Sequence, residues 1–161
     1  MKIRPANVAT VTGTRYPPPF DTPCLDRVRQ VLGNAAGLTQ FGVNLLRLTP
    51  GTWSSQRHWH THEDEFVYVV AGEVVLVTDA GEEILRAGDA AGFRAGAANG
   101  HHLQNRSVAD ALVLEVGSRR PEDEAHYPDI DLHALPGRAG YAHKDGRRYE
   151  GAKPRNVSGT R

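Results

Sequence analysis

The sequence predicts an all-β fold, a sandwich or barrel of short strands. Three observations carry that expectation. Between Thr39 and Ser118, runs rich in β-branched and aromatic residues recur roughly every eight to twelve positions. Turn-forming groups separate them: Thr49-Pro50-Gly51, Asp79-Ala80-Gly81, Ala87-Gly88-Asp89 and Ala95-Gly96. Apolar residues at helical spacing are almost absent from the same stretch.

In chain order, the elements are justified as follows. Residues 1–38 read as an extended N-terminal arm, because Pro5 and Pro17-Pro18-Pro19 neither continue a helix nor pair centrally in a sheet. Within the arm, Leu25, Val28, Val31 and Leu32 fit two helical turns ending near Gly33-Asn34. The barrel core, 39–118, holds strands expected near 41–48, 55–60, 64–71, 73–78, 82–86, 90–94, 101–106 and 110–117. Phe66-Val67-Tyr68-Val69-Val70 and Val74-Val75-Leu76-Val77 are apolar at both parities, whereas a half-solvated strand alternates. Both faces are therefore expected to be covered, one by a second sheet. The arm or, by preference, the partner of a homodimer would cover the other. Residues 119–161 form a polar extension, Gly-, Lys-, Arg- and Pro-rich beyond Gly137, read as an irregular C-terminal tail.

All 161 residues fit one domain. Lys+Arg and Asp+Glu are both 19, a zero net charge that argues against a nucleic-acid surface. No apolar run approaches a membrane span, and the first residues do not read as a signal peptide. A single cysteine, Cys24, excludes an internal disulfide and a multi-Cys zinc site. A cytoplasmic setting follows as the expectation, under which Asn105-Arg106-Ser107 and Asn156-Val157-Ser158 match the glycosylation pattern by chance.

The chemistry concentrates in histidine. Five of the eight lie in two short segments: His58, His60 and His62, then His101 and His102. Residues two apart on a strand share a face, so His58 and His60 project side by side. After a turn, Glu65 opens the next strand and can face the same interior. An ionised carboxylate buried without a partner costs several kcal/mol. A divalent metal removes that cost, because imidazole nitrogen and carboxylate oxygen become its ligands. Solvated surface histidines beside an acidic turn are the competing explanation. Adjacent strand residues point oppositely, so only one of His101 and His102 can join the first cluster. The set would then be three His and one carboxylate, with coordination positions left open.

These segments resemble the cupin superfamily, small double-sheet jelly-roll barrels. The first motif of that family matches Gly51, His58-Trp59-His60, Glu65 and Gly72, with one extra residue between Gly51 and His58. The second matches Gly88, Gly96, His101 and Asn105, with Arg94 in place of the usual Pro and two residues inserted before His101. The resemblance covers roughly residues 41–118 and implies a double-stranded β-helix. It implies His58, His60, Glu65 and His101 as ligands of one divalent metal ion, for which Fe, Mn, Zn and Ni are all precedented. It also implies a buried site and frequent homodimers.

It implies no single reaction. A metal-dependent enzyme acting on a small molecule is the leading expectation, with a dioxygenase placed ahead of an isomerase on family frequencies alone. Proton transfer is assigned to Glu65, should it leave the metal, or to His62 or His102. A non-catalytic metal-containing binder or sensor is the alternative, and a barrel whose histidines merely pack is the third. Arg47, Gln56, Arg94 and Gln104 are candidate substrate-orienting groups that read more readily as surface residues.

Overall fold

A computed structural model describes residues 1–149. Thirteen short strands carry it: β1 (Thr10–Thr12), β2 (Val28–Gln30), β3 (Phe41–Leu48), β4 (Trp59–His60), β5 (Glu65–Ala71), β6 (Glu73–Thr78), β7 (Gly81–Arg86), β8 (Ala90–Phe93), β9 (His102–Gln104), β10 (Ala111–Ser118), β11 (Ala125–Tyr127), β12 (Leu132–Ala134) and β13 (Tyr141–Ala142). The only α-helix among the described residues, α1, is a single turn at Leu32–Ala35. A six-stranded sheet runs β1-β2-β3-β10-β5-β8, a three-stranded sheet β7-β6-β9 and a four-stranded sheet β13-β12-β11-β4. The fold is the jelly-roll barrel that the motifs imply.

The inner faces of the six- and three-stranded sheets make the core: Leu46, Leu48, Val67, Val69, Val74, Leu76, Leu85, Leu103, Ala111 and Val113. Each Leu or Val buried there contributes about 1.5–3 kcal/mol relative to exposure. Gly72, which closes the first motif, joins β5 to β6 at φ 76°. A Cβ there would lie 2.7 Å from the Asp110 carbonyl oxygen, so the turn accepts only glycine. Asn105, the last residue of the second motif, is fully buried. Its amide donates to the carbonyls of Leu48 and Ala109 at 2.7 and 2.8 Å, and its Oδ1 accepts from Ser107, tying the strand ends together.

The structure corrects three expectations. Leu25–Val31 is not α-helical: Val28 and Gln30 pair with Arg47 and Leu45, making β2 an extension of the large sheet. Long-range pairing of a β-branched segment outweighs its weak helical spacing. The expected strand at 55–60 shrinks to Trp59–His60, joined by an isolated bridge between His58 and His101. The segment after residue 119 is more regular than its polarity implies. β11, β12 and β13 pack Tyr127, Leu132, Ala134 and Tyr141 against Tyr16 and Cys24 of the arm, a second apolar cluster. Residues 150–161, with the Asn156-Val157-Ser158 pattern, lie outside the described residues.

The double-parity apolar strands have a specific cause. On β5, Val67 and Val69 face the core while Phe66, Tyr68 and Val70 face outward, 45, 39 and 44 % exposed. Beside them in register stand Leu114 and Val116 of β10, then Leu45 and Val43 of β3. The arm does not cover this face, because β1 and β2 lengthen the sheet instead.

Candidate metal centre

The barrel brings together His58, His60, Glu65 and His101. His58 and His101 exchange backbone hydrogen bonds of 3.1 and 2.9 Å, which fixes them opposite each other. His60 follows two residues on, on β4. Glu65 starts β5, opposite Phe93 of β8. Phe93 stacks on the His101 ring at 3.6 Å, and Tyr127 on the His58 ring at 5.6 Å. The His101 and His58 rings are thereby held in one orientation.

One carboxylate oxygen sits among three ring nitrogens. Glu65 Oε2 lies 2.8 Å from His101 Nε2 and 3.6 Å from both His58 Nε2 and His60 Nε2. The opposite nitrogen of every ring faces an acceptor. His58 Nδ1 donates to the Gln56 carbonyl at 2.8 Å, His60 Nδ1 to Asp123 Oδ2 at 2.6 Å, and His101 Nδ1 to the Asn99 carbonyl at 3.3 Å. With those protons placed on Nδ1, all three Nε2 atoms are bare lone pairs aimed at an ionised carboxylate. Such a concentration of acceptors calls for a cation. A divalent metal fits the donor set, three imidazoles and one carboxylate, and the Nδ1 hydrogen bonds are the kind that orient metal-binding histidines.

The electrostatics agree with that fit. Burial pushes the His58 imidazole down to about 3, so it stays neutral at physiological pH. Burial pushes the Glu65 carboxyl up, but positive charge or a donated proton at the His60, His101 and His58 rings outweighs it and holds the group well below the usual carboxylate range, and a cation held among the rings acts in the same direction. Asp123 behaves alike: burial raises it, and the hydrogen bonds from His60 and the His62 and Glu63 backbones bring it lower overall.

The cluster borders a cavity of about 480 Å³. Five arginines line that cavity, Arg15, Arg27, Arg29, Arg119 and Arg138, against three carboxylates, Glu63, Glu65 and Glu115. Arg29 pairs with Glu115 at 3.2 Å. Arg27 is 9 % exposed and, among the described residues, has no carboxylate within ion-pair distance. Its guanidinium donates to the carbonyls of Gly13 and Ser54 and to Thr14 Oγ1. A smaller pocket, which shares His60, Glu65 and His101 with the larger one, is also lined by Trp59, Phe93, Arg94 and Asn99.

Of the remaining sequence candidates, Arg94 lines the smaller pocket and His102 the larger cavity, while the others lie outside both. His62 is exposed, bonded to Thr61 Oγ1, and lines neither pocket. His102 is buried with both nitrogens engaged: Nδ1 donates to the Ser55 carbonyl and Nε2 accepts from the Gln104 amide, each at 2.9 Å. Its ring packs edge-on against Trp53. Neither geometry favours the proton-transfer roles expected of them. Arg47 pairs with Asp110 at the surface, and Gln56 donates to the Phe20 carbonyl. Sequence reasoning assigns no role to Asp123, Arg27 or Glu63, which come from the extension, the arm and the turn before Glu65. The acidic run Glu122-Asp123-Glu124 was the one available signal.

Comparison with known proteins places this geometry. A family model described as Cupin domain matches residues 44–117, which include all four converging side chains. No curated protein matches the chain. A solved structure from Silicibacter pomeroyi, named as a sugar phosphate isomerase from a cupin superfamily, is 41% identical. It covers 96% of this chain and 99% of its own, with TM-score 0.88. A protein from Acidithiobacillus ferrooxidans with the provisional name sugar phosphate isomerase is 29% identical, covering 77% and 80%, TM-score 0.69. The polyketide cyclase RemF from Streptomyces resistomycificus shares the fold at 18% identity, covering 81% and 86%, TM-score 0.64. With its two motifs, its barrel and a relative matched over nearly its whole length, this chain belongs to the cupin superfamily.

Proposed function

We propose that this protein is a metal-dependent isomerase of a small phosphorylated sugar, working as a homodimer in the cytoplasm. The observation that carries the reading is the three-imidazole, one-carboxylate cluster in the wall of a cavity with more arginines than carboxylates. The name of the 41% identical relative points to the same substrate class. His58, His60, Glu65 and His101 would hold one Fe, Mn, Zn or Ni ion, which when bound supplies Lewis acidity to substrate oxygens. Arg27 and its neighbours favour an anionic group, and a phosphate suits guanidinium donors. An aldose–ketose interconversion moves one proton between adjacent carbons and one between their oxygens, and needs no oxidant; the carbon proton is the one that a base must carry. Glu63 is the candidate carrier of that proton. It lines the cavity beside Glu65, and one of its oxygens lies within 4.8 Å of a His60 nitrogen and an Asp123 oxygen. The outward face of Phe66, Tyr68, Leu114 and Val43 supports the homodimer, because an apolar patch of that extent is rarely left in water.

The test is a panel of aldose and ketose phosphates and their unphosphorylated counterparts, offered to protein loaded with each metal, with and without oxygen. Interconversion restricted to phosphorylated sugars and indifferent to oxygen is expected. Oxygen uptake matched to substrate loss would replace this reading with the dioxygenase. Metal and ligand binding without turnover would replace it with the sensor.

A further inference from the structure

Outside the barrel cavity, the four-stranded sheet carries a second convergence of ligating groups. His126 of β11 and His133 of β12 stand directly opposite each other in an antiparallel pair, and their rings stack at 4.6 Å. Glu124, two residues before His126, places Oε2 2.7 Å from His133 Nε2. One ligating atom from each of the three lies within 4.8 Å of the others. Trp59 of β4, opposite His126 in register, stacks on that ring at 4.6 Å and walls the group on one side. None of Glu124, His126 and His133 lines either pocket at the barrel cluster.

We propose that Glu124, His126 and His133 form a second metal site, for a transition ion of borderline softness such as Zn²⁺, Ni²⁺ or Cu²⁺. Two imidazoles and one carboxylate suit these ions and not Mg²⁺ or Ca²⁺, which take oxygen ligands. Directly opposed positions in an antiparallel pair keep the two rings within reach of one ion. Rotation about χ2, a broad torsion in histidine, turns stacked rings so that their lone pairs converge. Three protein ligands leave the remaining positions to water. The side chains of Glu124 and His133 are 35 and 22 % exposed, so an ion arrives from solvent without crossing the barrel.

An ion here ties β11 to β12. The residue before Glu124 is Asp123, which accepts the Nδ1 proton of His60. Occupancy of the outer site therefore stiffens the segment that orients one imidazole of the inner cluster. Binding to the folded chain alone also raises the unfolding temperature by mass action.

The decisive experiment titrates tag-free, metal-stripped, full-length protein with Zn²⁺ alone, following stoichiometry and unfolding temperature. The wild type should take up two equivalents, the second with its own rise in unfolding temperature. His126→Gln and His133→Gln should each take up one and lose that second rise. His58→Ala should lose the other equivalent and keep this one. The proposal is overturned if both Gln variants still bind two equivalents, or if every bound ion in the wild type disappears in His58→Ala. Loss of the only bound equivalent in His133→Gln, with none lost in His58→Ala, would support the outer site and count against the barrel centre. Should a histidine variant fail to fold, Glu124→Gln preserves the stacked pair and is expected to weaken the second equivalent at least tenfold. An unchanged second affinity there would refute the assignment.

Discussion

Asp123→Asn is the sharpest probe of how the barrel centre is built. In the wild type, Oδ2 accepts the His60 Nδ1 proton at 2.6 Å, while Oδ1 accepts the backbone N–H groups of His62 and Glu63 at 2.8 and 3.0 Å. The Asn side chain can keep Oδ1 on the two backbone groups. Its NH₂ then faces the His60 Nδ1 proton, donor against donor. His60 must rotate or move its proton to Nε2, and either change removes a lone pair from the metal position. Loss of such a supporting hydrogen bond typically costs about 10–100-fold in metal affinity, or about 1.4–2.8 kcal/mol. The assay is competition with a chromophoric chelator near pH 7.5, with thermal unfolding of the metal-free protein as the control. The expected result is weakened metal binding in a chain that still unfolds cooperatively. Metal affinity within twofold of wild type, in a folded variant, would show that Asp123 does not orient His60 and would refute the reasoning. Asp123→Ala strips acceptors from all these donors and should cost stability as well, about 1–3 kcal/mol per buried group left unpaired.

Further predictions follow from the same structure. Between about pH 3 and 6.5, an unfolded chain carries a proton on His58 that the folded, metal-free chain excludes. Stability of metal-free protein should therefore fall as the pH is lowered through that window, by roughly 1 kcal/mol per pH unit for this group, and His58→Phe should flatten the slope in urea unfolding. If the proposed homodimer packs through the outward face of β5, Tyr68→Glu should sediment as a monomer where the wild type sediments as a dimer; a monomeric wild type, or a variant of unchanged mass, would refute that packing. Arg27→Lys, which keeps the charge but not the fork of donors, should raise KM for a phosphorylated substrate more than it lowers kcat. Leu46→Ala removes a fully buried core side chain and should destabilise by about 2–5 kcal/mol in denaturant titration.

Local signals made the barrel legible. Gly-containing turns bounded β5, β6 and β7 to within about two residues. The spacing of His58, His60 and Glu65 marked a shared interior because strand periodicity alone determines it. Strand alternation alone left His101 and His102 equivalent, and only the family motif, through the spacing to Asn105, pointed to His101. The backbone bridge to His58 selects His101, and such a bridge has no sequence signature. The arm failed for a related reason: Val28–Gln30 is a strand only because β3 lies beside it. Asp123 meets His60 across 63 residues, and Arg27 becomes buried only once the arm folds over the Ser54 carbonyl. Contacts of that range are set by tertiary geometry and leave no periodic trace.

The clasp of Arg27 on Gly13, Thr14 and Ser54 has an evolutionary consequence. The segment shared with the wider family supplies every atom that would grip the ion, yet much of the chamber around it is furnished by residues before 44 and after 117. Under the proposed function, metal binding and substrate choice are thus encoded in separate stretches of one gene. Grafting the flanking stretches of another relative onto this barrel should redirect which molecule enters while the inorganic chemistry stays where it was.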